Sequence, residues 1–248
     1  LEKSARTLFG SARAAQLVGD ARVAEGQARA VLGRVPQHPG AKLLLARLLI
    51  QDAKREEEAL SWLAGVTSDP EGRRAATKAV LGRLHLERSR LSAAEQSFNA
   101  ALELDPQSTD ALLGSGEVLH RGGRYSQALA RFESASRLDP ASVEAKVGIA
   151  KTLVVLERGK EAKALLLGAR TQSPSDPSVS YWLGRTEEAV GSRRDAETAY
   201  RAAIAGPEGS QAKVDAYVAL AQSMAAQGRG EDASKTLEEA KARFPEAA

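Results

Sequence analysis

The tripeptide Leu-Asp-Pro occurs twice, with its prolines at 106 and 140, and Pro174 follows at the same interval of 34 residues. Proline ends a helix, because it lacks the N–H that would bond the carbonyl one turn back and its ring crowds that same turn. It also holds the residue ahead of it, Asp105 or Asp139, in an extended conformation. Stop signals at a fixed interval divide the chain into units that must fold alike. The residues between them keep the same beat. Ala94, Ala128, Ala162 and Ala196 stand 34 apart, and four positions after each comes a large apolar residue: Phe98, Phe132, Leu166 and Tyr200. Ala233 and Leu237 continue the series after 37 residues, which marks a three-residue insertion. A further alanine follows each large residue, at 101, 135, 169, 203 and 240. A second small series, Gly82, Gly116, Ala150, Gly184 and Ala221, keeps the same spacing.

Each unit reads as two helices. The first runs, for example, from Asp110 to Arg121, a turn follows at Gly122, Gly123, Arg124 and Tyr125, and the second helix runs from a cap to the proline. Ser92 and Glu95 form a capping-box pattern, in which both side chains satisfy backbone N–H groups at a helix start. Ser126, Ser142 and Ser192 are caps by the same logic. Hydrophobic residues make up 43% of the chain but aromatic ones only 4%, so small side chains must do much of the packing, and that favours closely crossing helices. Leucine in place of Ala128 would overpack such a crossing at a cost of about 1–3 kcal/mol.

The pattern resembles the tetratricopeptide repeat, a 34-residue unit with tryptophan, Leu-Gly and tyrosine in its first helix, Ala-x3-Phe in its second, and a closing proline. The chain has Leu112, Ser115, Gly116 and Leu119, then Ala128 and Phe132, then Pro140; one unit earlier it has Lys78, Leu81, Gly82 and His85, then Ala94 and Phe98, then Pro106. Five strong units fall at 75–108, 109–142, 143–176, 177–213 and 214–247. Two weaker ones fall at 40–73, through Ala59 and Leu63, and at 9–39, through Ala28 and Leu32. In those two, Arg47 and Gln16 stand where the others have a small residue. The resemblance implies an all-α fold, a right-handed superhelical solenoid of helix-turn-helix repeats spanning 1–248 as one domain. Such units bury their apolar faces only by stacking. The last helix, Glu231 to Arg243, carries Lys235, Glu238, Glu239, Lys241 and Arg243, and is polar enough to end the array.

The resemblance also implies a concave groove lined by the first helices, which holds an extended peptide or a partner helix. Carried onto this sequence, one groove row is Arg83, Glu117, Lys151, Arg185 and Gln222. A second is Ala79, Leu113, Val147, Tyr181 and Val218, and a third is Val80, Gly114, Gly148, Trp182 and Ala219. This describes an apolar strip beside a mostly basic ladder. Gly114 and Gly148 would leave room for inserted side chains, and Tyr181 and Trp182 have the character of binding hot spots. The expected partner is a protein segment with apolar anchors and acidic residues. Trp182 stands two residues after the repeat's tryptophan position, held here by Ser180, so it fits either the groove or the space between units. Each ladder cation is by itself also compatible with a solvated helix face. Some tetratricopeptide domains grip a terminal carboxylate with lysine, arginine and two asparagines; the only asparagine here is Asn99, in a second helix, so that clamp is not supported.

Other function classes find little footing. The net charge of +3 is small and the basic residues are interspersed with acidic ones. A rim of turn residues, among them Arg88, Arg90, Arg121, Arg124, Arg158, Lys160, Arg193, Arg194 and Arg229, would suit phosphates or anionic lipid. No aromatic platform for single strands accompanies it, so nucleic acid and direct membrane contact are not favoured. The absence of cysteine excludes disulfides and thiolate chemistry. His85 takes the repeat's tyrosine position and His120 has no second histidine at ligand spacing, so no metal site is expected. No phosphate loop, catalytic constellation or cofactor motif is present, and the reading is non-catalytic. No apolar run approaches the roughly 18 residues that span a bilayer. The chain begins at Leu1 rather than methionine, as it would if a targeting segment or another domain preceded it. An adaptor or regulatory segment of a larger enzyme or signalling protein is the alternative reading. Arginine far exceeds lysine, and alanine and glycine abound, a pattern of GC-rich bacterial genomes. That suits a secretion, pilus, motility or envelope-assembly machine, and leaves the compartment open between cytoplasm and cell envelope.

Overall fold

The computed structural model describes residues 2–50, 52–64, 66, 71–207 and 210–244. Pro70, Glu208, Gly209 and the residues after Phe244 lie outside them, so the proline closing the second unit and part of the insertion are not described. Among the described residues the chain is helical throughout, without a strand, and it falls into two compact units, Leu1–Gly122 and Gly123–Ala248. The first contains α1 (Glu2–Leu17), α2 (Ala21–Arg34), α3 (Pro39–Leu49), α4 (Glu56–Ala64), α5 (Glu71–Glu87), α6 (Leu91–Leu104) and α7 (Thr109–Arg121), with a short 3-10 turn at Ala53–Arg55. The second contains α8 (Tyr125–Leu138), α9 (Val143–Val155), α10 (Gly159–Gln172), α11 (Pro177–Ala189), α12 (Arg193–Ala205), α13 (Gln211–Ala225) and α14 (Gly230–Arg243). Within each unit an odd-numbered helix packs on the even one that follows it and on the next odd one. The odd-numbered helices are the first helices of the repeat, the even-numbered ones the second.

Leu-Asp-Pro is a complete stop. α6 and α8 end at its leucine; Asp105 adopts the extended backbone that a following proline favours, and Asp139 leaves the helical region too, at φ −131° and ψ 89°. Each aspartate then closes the turn, its Oδ1 accepting from the N–H of Gln107 at 3.1 Å or Ala141 at 3.0 Å. The turn inside each helix pair has its own device. Gly19, Gly123, Gly191 and Gly228 adopt left-handed φ of 74–84°, which glycine tolerates because it has no β-carbon. Ser89 (φ 54°) and Glu157 (φ 59°) occupy the same place.

This turn overrides the expected capping. α6 starts at Leu91 with Arg90 at its N-cap, so Ser92 and Glu95 lie inside the helix and form no capping box at its start. α8 starts at Tyr125, not after a Ser126 cap. The left-handed residue hands the chain straight into the helix, and the next residue becomes the cap whatever its side chain: Arg90, Arg124, Arg158, Ser192 or Arg229. Ser192 makes no side-chain cap bond there. Ser142 does cap a helix, α9, its Oγ accepting from the N–H of Ala145 at 3.1 Å.

The core is built on rings lying against glycines. A β-carbon added at Gly114 would come within 2.1 Å of the Phe98 ring, and one at Gly82 within 2.8 Å. Phe132 stands 2.5 Å from the same atom at Gly148, and Tyr200 stands 2.4 Å from it at Gly184. Gly114 and Gly148 are therefore not vacancies for a partner; their own chain's phenylalanines fill the space. Where the second helix supplies the smaller Leu166, the residue aligned with Gly148 becomes Trp182.

The first two pairs keep the plan in another register. Ala12 and Ala46, both fully buried, are their small residues, each one step from an arginine, rather than Gln16 and Arg47. In α2 the sequence Ala24, Ala28, Val31 is fully buried, as Ala94, Phe98 and Ala101 are in α6, so Ala28 takes the ring's place and not that of Ala94. The missing ring comes from α1: Phe9, in the same core cluster as Ala28, lies 2.7 Å from where a β-carbon of Gly40 would stand.

Candidate partner-binding surface

On an α-helix successive residues point about 100° apart. At Gly82 and Gly184 the small residue faces the partner helix, against Phe98 and Tyr200, so the residue after it turns away from that helix. Arg83 follows Gly82, Glu117 follows Gly116, Lys151 follows Ala150, Arg185 follows Gly184 and Gln222 follows Ala221. By the same rule Arg13 follows Ala12 and Arg47 follows Ala46, so the ladder runs further towards the N-terminus than expected. The signal was present in the sequence, but an assumed constant spacing hid it.

In the first unit these positions enclose a cavity of about 280 Å³, lined by residues of α1, α3, α5 and α7: Gln16, Arg47, Ile50, Ala79, Val80, Arg83 and Asp110. Three of the expected groove residues, Ala79, Val80 and Arg83, meet here. Ala79 and Val80 form its floor at 3% exposure each, Arg83 is half-buried, and Leu113 of the apolar row is 5% exposed. The guanidinium of Arg47 on α3 pairs with the carboxylate of Asp110 on α7, reaching past α5, which lies between them in the packing order. Glu117 pairs instead along its own helix with Arg121, at 2.8 Å. Gln16, Arg47, Ile50 and Asp110 are not among the expected groove residues, because the face is made from several helices and no one helix displays it.

In the second unit the expected rows divide. Tyr181 is buried, Val147, Lys151 and Trp182 are half-buried, and Arg185, Val218 and Gln222 are exposed. Tyr181 and Trp182 meet edge to face at 5.3 Å, and Tyr181 lies 6.1 Å from the Tyr200 ring. Arg185 donates to the Tyr181 hydroxyl at 3.2 Å, and the Tyr200 hydroxyl donates to Glu188 at 2.7 Å. Burial, with the Glu188 carboxylate beside it, pushes the Tyr200 phenol far above its ordinary range, so it stays a donor. The ammonium of Lys151 sits 5.4 Å over the Phe132 ring. Ala79, Leu113 and Tyr181 of the apolar row are thus core, while the exposed Arg185 and Gln222 are cationic or polar, and exposed Val218 and half-buried Trp182 are the apolar part of this face.

The basic rim is largely tied to carboxylates. Arg88 and Arg90 both pair with Glu56, at 3.1 and 2.8 Å. Arg158 pairs with Glu161 at 2.7 Å, and Arg229 with Glu197 and Asp232 at 3.1 and 2.8 Å. Two of these bonds, Arg90–Glu56 and Arg229–Glu197, join the start of one second helix to the second helix before it, so they act as clasps within each unit. His85 is half-buried in α5, and burial pushes its imidazole below the usual range.

A tetratricopeptide repeat family model matches residues 9–73 and 80–142, and a second model of the same description matches 119–185. Among solved structures, the chain is similar to a tetratricopeptide repeat protein from Parabacteroides merdae, at 19% identity and a TM-score of 0.65, over 97% of this chain and 93% of that one. It is similar to a chain of the APC/C hetero-tetramer Cut9–Hcn1 at 18% identity and a TM-score of 0.80, over 97% of this chain and 47% of that one. It is also similar to MamA from Desulfovibrio magneticus at 17% identity and a TM-score of 0.52, over 67% of this chain and 93% of that one. At these identities the likeness is one of fold. No curated protein matches the chain by sequence.

Proposed function

The chain belongs to the tetratricopeptide repeat family, whose domains generally serve as protein-interaction scaffolds, and from that premise we propose that it is a non-catalytic scaffold holding a peptide or helix of a partner protein on its first-helix faces. The observation that carries this reading is the cavity of the first unit, walled by four successive first helices and bearing Arg47 and Arg83 above the apolar floor of Ala79 and Val80. In the second unit the same rows present Trp182, Arg185, Val218 and Gln222 to solvent at least in part, a mixture of rigid aromatic, cation and aliphatic that suits a segment with apolar anchors and acidic residues. The composition favours a bacterial multiprotein assembly as the setting. A rim that binds nucleic acid or anionic lipid is the weaker reading, because Arg88, Arg90, Arg158 and Arg229 already hold carboxylates.

Site-directed photocrosslinking tests the reading. A photoreactive residue is placed on first helices, at Arg83 or Gln222, and on exposed positions of second helices, at Gln96 or Thr198. The variants are then exposed to native lysate and the crosslinks mapped. Crosslinks from the first-helix positions to one segment of one partner are expected. Crosslinks that form only from Gln96 and Thr198 would move the site to the second helices.

A further inference from the structure

We propose that the Arg47–Asp110 pair is a carboxylate subsite occupied by the chain's own Asp110, and that an acidic side chain of a peptide partner displaces it. This inference rests on the first-helix reading above. The pair joins the two helices that flank α5 in the packing order, and both its members line the cavity. The contact forms on an open wall: the Arg47 side chain is 34% exposed and that of Asp110 48%. An ion pair so exposed shifts an equilibrium by no more than about fivefold, so a competing carboxylate exchanges with it readily. The planar guanidinium offers the fork that a carboxylate recognises. The cavity wall carries the guanidiniums of Arg47 and Arg83 together with the carboxylate of Asp110, so a carboxylate is the group this wall already holds. Ile50, Ala79 and Val80 lie beside them, almost fully buried, and offer a shallow apolar seat. The occupant that this charge and shape fit is a peptide with an aspartate or glutamate next to a short aliphatic side chain.

Asp110 then sets the affinity by competition. Its removal frees Arg47 for the ligand, whereas the removal of Arg47 deletes the subsite. The opposite signs separate this role from a structural one, because a pair that merely braced the wall would lose binding from either side.

The test is fluorescence anisotropy on the whole chain with three labelled octapeptides. The first alternates aspartate and leucine with both termini blocked. The second has asparagine for each aspartate. The third is the second with a free terminal carboxylate. Circular dichroism first establishes equal helicity of the variants. The acidic peptide is expected to bind more tightly than its amide twin. Asp110→Asn should strengthen that binding up to about fivefold, and Arg47→Gln should reduce it to the level of the twin. Weaker or unchanged binding to Asp110→Asn overturns the proposal, as does indifference to Arg47→Gln. Binding of the terminal-carboxylate peptide alone also overturns it, in favour of a terminus. If the acidic and amide peptides bind alike while first-helix crosslinks still form, only this inference fails. If no peptide binds and no such crosslink forms, the scaffold reading fails with it.

Discussion

Gly114 of α7 has no room for a β-carbon, because the Phe98 ring of α6 lies 2.1 Å from where that carbon would stand. Gly114→Ala must push the ring or the helix aside. It is expected to destabilise the chain by about 1–3 kcal/mol, as overpacked cores do. Gly168, exposed in α10 with nothing within 4 Å of its added β-carbon, is the control. Alanine there should stabilise by about 0.5–1 kcal/mol through the unfolded chain. Adding Phe98→Leu to Gly114→Ala should recover part of the loss, as the chain itself combines Leu166 with a large residue on the next first helix. Urea midpoints of the single and double variants check this. Equal losses from Gly114→Ala with and without Phe98→Leu would show that the ring is not the obstacle.

The left-handed turn makes a second prediction. Glu157 holds φ 59° where most other pairs have glycine. A left-handed conformation costs a side-chain-bearing residue about 1–2 kcal/mol, and glycine gives back part of that gain as backbone entropy. Glu157→Gly should therefore stabilise by about 0.5–1 kcal/mol, and Gly123→Ala should destabilise by a similar amount. Thermal unfolding of the two variants distinguishes the signs.

These two positions also show how much could be read in advance. The spacing of Ala94, Ala128, Ala162 and Ala196 was enough to give helix pairs and the family, because close crossings permit only small residues and so imprint their period on the sequence. Gly114 and Gly148 misled, because a glycine marks the absence of a side chain without saying what fills the gap; that depends on Phe98 and Phe132 of the preceding helices. The serines at 92 and 126 misled because capping strength yields to turn geometry. Arg47 falls at the small-residue position when a constant spacing is applied, because the 3-10 turn at Ala53–Arg55 lengthens that pair, and the buried small residue is Ala46. The contact between Arg47 and Asp110, 63 residues apart, leaves no local trace at all.

Acid should weaken the first unit through Glu25. Both Nη atoms of Arg55 donate to its carboxylate, at 2.7 and 2.9 Å, and Arg29 adds a third bond at 3.0 Å. Arg55 foremost, then Arg29, holds the Glu25 carboxyl at about 2 against an ordinary value of 4.5, in spite of partial burial. Above pH 4.5 both the folded and unfolded chains carry this group ionised, and the full stabilisation is present. As pH falls below 4.5 the unfolded chain takes up a proton that the folded one refuses until about pH 2, so stability is lost across that window. Glu56 and Glu58, also lowered by their arginine partners, act in the same direction. The urea midpoint should fall between pH 5 and pH 3, and Glu25→Gln should be less stable at pH 7 with a shallower fall. Parallel curves for the two proteins would assign the acid sensitivity elsewhere.

Trp182 and its neighbour Tyr181 should separate stability from binding. Tyr181 is 9% exposed and touches Trp182, Tyr200 and Arg185, so Tyr181→Ala removes a buried ring from the core of the second unit. Loss of a buried aromatic costs about 3–5 kcal/mol. Trp182 packs only partly against the same cluster and keeps one side open to solvent. Trp182→Ala should therefore cost less than half as much stability, yet remove most of the crosslinking from Gln222 to a partner if the face of α11 and α13 holds it. Conservative Trp182→Phe should keep stability and restore part of the crosslink. Denaturation curves and crosslink yields on the three variants decide the matter. A Trp182→Ala variant as unstable as Tyr181→Ala, with crosslinking intact in the fraction that folds, would return Trp182 to the core and leave Arg185, Val218 and Gln222 as the face.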